Sequence, residues 1–186
     1  MSLHPSQIVG AMSEAKFAEM MARSPRSVRE TLFGRLNIKA SSTKSILPKL
    51  HQKNEERIKK LHTKLAQVPG NAKNEQDLCS ELIRNWLVGK NPMLIAAMDQ
   101  LGVKHENGLT EQELDFIEKL EPAKVKDLVG ALAGKFADEE VGIYLRFMKV
   151  PHLRGQLPAG CYPKDAPAAL TDDPETVAAE EAPAAP

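Results

Sequence analysis

Aromatic side chains are scarce: one Trp, two Tyr and five Phe in 186 residues. A core with so few rings must be filled by Leu, Ile, Val, Met and Ala. Cysteine is scarcer still. Cys79 and Cys161 alone exclude a disulfide framework and suit a reducing, cytoplasmic setting. No apolar stretch approaches the ~20 residues of a membrane span, and the first residues lack the basic segment and apolar run of a secretory signal. Alternating Val/Ile/Thr/aromatic runs are missing, as are hairpin turns between such runs, so no β-sheet is expected. The phosphate-binding patterns GxxxxGKS/T and GxGxxG after a strand do not occur. Neither do HExxH or paired CxxC, so no metal site and no cofactor is expected.

Charge is balanced overall, 25 basic against 25 acidic residues, but unevenly spread. Residues 1–73 carry 14 Lys/Arg and 5 Asp/Glu, a net of +9. Residues 74–160 carry 10 and 14, a net of −4, and residues 161–186 carry 1 and 6, a net of −5. The two ends can attract each other or different partners.

Helical periodicity is the strongest positive signal, and it is clearest over residues 74–120. Leu78, Leu82 and Trp86 recur at i, i+4, i+8, and Cys79, Ile83 and Leu87 repeat that spacing one residue on. Together they form a broad apolar stripe that marks Trp86 as core. Gly89 closes this helix. Asn91-Pro92 starts the next, with Asn91 as cap and Leu94, Ile95, Met98 and Leu101 inward, and Gly102 ends it. Thr110–Glu113 has the form of a capping box with Leu109 and Leu114 as its hydrophobic staple, which predicts a third helix over 110–120.

The same reading extends outward. Ile8, Val9 and Met12 are placed to begin a helix. Residues 13–23 carry Phe17, Met20 and Met21 at helical spacing, and Ser24-Pro25 predicts a helix start with Val28, Leu32 and Leu36 inside. Residues 37–45 read as a polar connector. A longer helix follows over 48–68, with a narrow apolar stripe of Leu50, Ile58, Leu61, Leu65 and Val68. Residues 69–73 form a turn. Beyond residue 120, Glu121-Pro122 opens a helix through Val125, Leu128, Val129 and Leu132. Asp138 is placed to cap the last one, lined by Val141, Tyr144, Leu145 and Met148. Residues 151–163 are irregular, and 164–186, rich in Pro, Ala and acid, read as a disordered tail. The fold class is therefore all-α: an irregular bundle of about six to eight helices. Its parts are a basic helical arm at 1–73, a core bundle at 74–150, and an irregular segment with an acidic tail at 151–186.

Candidate chemistry is thin. The loop before residue 110 echoes a calcium-binding loop, but the register fails. With Glu113 at position twelve, Gly102 and Lys104 stand where carboxylates are needed, and Asn107 stands where glycine is needed. His51 and His62 are nearly in phase on one helix, yet ~16 Å apart along its axis, too far for one ion. His105-Glu106 reads as a loop pair. Cys161, in PAGCYP, is placed to expose a thiol but has no basic neighbourhood to activate it. The most functional-looking feature is a cationic face on the 48–68 helix. Lys49, Lys53, Arg57, Lys60 and Lys64 fall within ~80° of one another at ~100° per residue. The expectation is a non-enzymatic interaction module, an adaptor or regulator, that presents this face to an acidic protein surface. The alternatives are nucleic-acid binding through the same basic half and an enzyme whose site is scattered beyond any motif.

Overall fold

In the computed structural model the described residues are 3–38, 47–153, 155–158 and 161, with the backbone alone described over 47–53. They form eight α-helices: α1 (Pro5–Gly10), α2 (Glu14–Arg23), α3 (Arg26–Arg35), α4 (Leu47–Leu65), α5 (Lys73–Val88), α6 (Asn91–Leu101), α7 (Pro122–Leu132) and α8 (Asp138–Phe147). A 3-10 turn, Asp115–Lys119, stands between α6 and α7. Among the described residues there is no strand, only two isolated bridges. The all-α class follows directly from the periodicity.

The hub is α5. It packs against α1, α2, α3 and α6, while α4 lies on α1 and α2. Its two apolar rows make it a hub: Cys79, Leu82, Ile83 and Trp86 have no exposed surface, so more than one side of the helix needs cover. Phe17, Met20 and Met21 of α2 are buried to within 1%, filling the irregular space with flexible thioethers. One continuous cluster of buried apolar side chains runs from Ile8 to Cys161. The turn at 69–73 lies within this packing and is tied to α1. Ser6 N–H donates to Gln76 Oε1 at 2.9 Å, and Gln76 Nε2 donates to Ser6 Oγ at 2.8 Å and to the Pro69 carbonyl at 3.1 Å.

Several helix ends differ from expectation. Ser24 does not open α3. Its hydroxyl donates to the Met20 carbonyl at 2.8 Å, closing α2, and Pro25 stands at the N-cap of α3. Asn91 lies inside α6, whose N-cap is Lys90, and Ala137 rather than Asp138 precedes α8. The predicted helix over 110–120 is replaced by the 3-10 turn. Thr110 Oγ1 accepts from Gln112 N–H, two residues on, at 3.1 Å. This local bond takes the hydroxyl that a capping box would use and holds the chain out of an α-turn. Leu109 is consequently 52% exposed and does not act as a staple. Ile95, Leu36 and Leu101 are only half-buried; Met93 and Ala97 take the inward positions on α6. Cys161, expected in an exposed loop, is 1% exposed, with its carbonyl taking Arg146 Nη1 at 2.9 Å. The tail over 164–186 and most of the 37–45 connector lie outside the described residues.

The loop before residue 110 is closed by its own groups. Asn107 and Gly108 both have positive φ, 52° and 81°, and Glu106 and Leu109 exchange backbone hydrogen bonds around them, the geometry of a two-residue turn. His105 braces it, with Nδ1 accepting from Gly108 N–H at 3.1 Å and Nε2 at 3.0 Å from Asp99.

Candidate functional site

The surfaces that bear on function are arranged by α4. Its inward face is fixed by Leu61 and Leu65, both fully buried, with Val68 following at 8% exposed. At ~100° per residue, Arg57, Lys60 and Lys64 then fall on one flank of this apolar strip, and Ile58, Lys59 and His62 on the other.

On the cationic flank the predicted residues have different fates. The Arg57 guanidinium lies 4.3 Å from the centroid of the Phe33 ring, a cation–π stack that holds it half-buried against α3. Lys64 Nζ donates to the Leu36 carbonyl at 2.7 Å. Leu36 is the C-cap of α3, so this ammonium satisfies a terminal carbonyl and complements the negative end of the helix dipole. Lys60 is exposed. Lys49 and Lys53 belong to the stretch whose side chains lie outside the description. The structure thus brings Arg57, Lys60 and Lys64 onto one flank and gives two of them internal partners.

On the other flank, α4 and α2 diverge. Lys59 Nζ pairs with Glu14 at 2.9 Å. The His62 ring stacks on Phe17 with centroids 4.6 Å apart, and its Nε2 lies 3.0 Å from the Val9 carbonyl. Burial pushes the His62 pKa below its ordinary value, against the opposing pull of the Val9 carbonyl, Glu14 and Glu139. The neutral ring is therefore the folded form, donating from Nε2 to Val9.

A second polar constellation was not legible in the sequence. Around Trp86, Lys16 Nζ reaches Glu19 at 2.8 Å and Glu140 at 2.7 Å, and Lys90 Nζ reaches Glu19 at 3.0 Å and Glu140 at 2.5 Å. The indole N–H donates to Glu19 at 3.3 Å. Lys16 hydrogen-bonding, against burial, holds Glu19 down at about 2, with Lys90 and Trp86 contributing. Burial opposes the charged form of Lys16, but bonds to Glu140 and Glu19 outweigh it and raise its pKa. Each charge is answered by its neighbours. The cluster thus works as a staple joining α2, the α5–α6 corner and α8; a lysine nucleophile would need a lowered pKa. Nearby, Glu139 accepts from Ser13 N–H at 2.6 Å and Ser13 Oγ–H at 2.8 Å, binding the start of α8 to the N-cap of α2. The only advance hint was the i, i+3 spacing of Lys16 and Glu19; nothing local foretells Lys90 and Glu140.

Both thiols are poor nucleophiles where they stand. Burial, then Glu75, pushes Cys79 up to about 12; burial, then Asp138, pushes Cys161 up to about 11. Among the described residues no group of three or more His, Cys, Asp or Glu side chains could hold a metal ion. Nor is any helix there long and apolar enough to cross a membrane.

These features define an all-α helical protein whose longest helix, α4, presents differently charged flanks on either side of a buried strip. The chain matches no family model, no curated protein and no solved structure.

Proposed function

We propose that the protein is a non-enzymatic helical interaction module, an adaptor or regulator that engages an acidic protein surface through the cationic flank of α4. One observation carries the reading. The helix is anchored by fully buried Leu61 and Leu65 while Lys60 projects, exposed, from the adjoining flank. A cation on an anchored backbone is presented at fixed register, which lowers the ordering cost of an encounter. The +9 balance of residues 1–73 adds long-range steering, so the face would act chiefly on association rate and salt dependence. A cytoplasmic setting accompanies this reading, in keeping with two buried free thiols.

The test is a Lys53→Glu/Lys60→Glu variant, which spares Arg57 and Lys64 because those serve Phe33 and the end of α3. Lys60 is exposed, and an exposed charge contributes at most ~1 kcal/mol, so its reversal should leave the melting temperature nearly unchanged. The expected result is selective loss of an acidic protein partner captured by the wild type, with a flatter salt dependence. Unchanged partners and salt response would return this face to a role in solubility. Loss of heparin and DNA retention alone would transfer it to nucleic-acid binding.

A further inference from the structure

The opposite flank of α4 borders an open trough of about 620 Å3 against α2. Its floor is apolar: the buried ring of Phe17, half-buried Ile58, and Ala15 and Ala18, whose methyl groups leave the space unfilled. Its rim is acidic. Of Glu14, Glu55 and Glu56, Glu14 alone has an ion pair among the described residues, with Lys59. His62 also borders the trough but is held neutral by its seat between Phe17 and Val9. Two exposed carboxylates, Glu55 and Glu56, therefore stand over an apolar floor without an ion pair among the described residues.

We propose that this trough is a docking site for an amphipathic helix of a partner protein, with apolar anchors on one face and Lys or Arg beside them. The charge of the rim selects a cationic ligand. The open shape selects a segment over a small molecule, because small-ligand sites enclose most of their ligand's surface whereas a helix laid in a groove buries one face. Two apolar anchors one turn apart would sit over Ile58 and between Ala15 and Ala18, and flanking cations would meet Glu55 and Glu56. The exposed Lys59–Glu14 pair crosses the rim and can exchange partners at small cost. This proposal does not depend on the cationic flank having a partner.

The probe is a synthetic helical peptide with a Leu stripe flanked by Lys. It is compared with an isomer in which the same residues are scrambled to destroy the stripe. Isotope-labelled full-length protein is titrated, and amide shifts are followed with the dissociation constant. Saturable binding is expected, with the largest shifts at Ala15, Ala18, Ile58 and Lys59. Glu55→Lys/Glu56→Lys should weaken it by about tenfold or more, and Ala18→Leu should block it by filling the floor. Binding of the scrambled peptide within about twofold, or shifts centred on Lys60, would overturn the proposal by reducing it to general electrostatics. So would an Ala18→Leu variant that binds as well as the native chain. Because shift mapping uses the native protein, the result stands even if a variant folds poorly.

Discussion

Trp86 meets two demands. Its ring is fully buried, and its N–H reaches Glu19 at 3.3 Å, so the largest core side chain is also tied to the ionic staple. Lys90 and Lys16 lie 5.1 and 5.9 Å from the ring centroid, placing cations near its π face. Trp86→Ala should cost roughly 3–5 kcal/mol, measured by chemical denaturation, and native emission should be blue-shifted relative to free indole. Water-like emission with an unchanged midpoint would remove Trp86 from the core. His62 yields a pH prediction. Its folded-state pKa lies below the unfolded value near 6.5, so the neutral ring's contribution is complete above 6.5 and is lost as pH falls through the folded pKa. The wild type should lose melting temperature between pH 7 and 5, and His62→Gln should lose less. Parallel curves would show that the ring carries no linkage.

Among the elements, the end of α1 lies close against the residue that follows α4. A Cβ added at Gly10 would lie 2.5 Å from Ala66 Cα, a backbone atom that cannot swing aside. Gly10→Ala should therefore destabilise by about 1–3 kcal/mol, the usual cost of overpacking. Gly34, with open space around its missing side chain, serves as the control. There Ala should be neutral or stabilising, since alanine is the better helix former. Equal behaviour of the two variants in thermal melts would mean that α1 does not sit against the residues following α4.

At the scale of the whole molecule, the ionic staple joins elements far apart in the chain, and its acid response should be global. Glu19 titrates at about 2 when folded against an ordinary 4.5. Its contribution is present above 4.5 and lost as pH falls toward 2. Glu19→Gln should lower stability at neutral pH and flatten the decline between pH 4.5 and 2. A variant that tracks the wild type through that range would show that the pairs are energetically idle. Since one buried cluster spans α1 to α8, Trp86 fluorescence and helical circular dichroism should report a single coincident transition. Two separated transitions would show that the first 73 residues unfold on their own.

The all-α class, the burial of Trp86, the Met-rich inner face of α2 and the breaks at Gly89 and Gly102 followed from sequence. Each depends on residues within a turn or two of one another, where periodicity and backbone preference act directly. The cationic flank was legible for the same reason: helical geometry alone puts Arg57, Lys60 and Lys64 side by side. Only tertiary structure decided that Arg57 spends its charge on Phe33, that Lys64 closes α3, and that Cys161 is buried. Those outcomes depend on which helix lies alongside, and no local pattern encodes it. The same holds for the acid-rimmed trough and for the Lys16–Glu19–Lys90–Glu140 staple. A charge in the chain fixes only what it can attract; the packing of α2, α4, α5 and α8 fixes whether its partner is another part of this protein or something outside it.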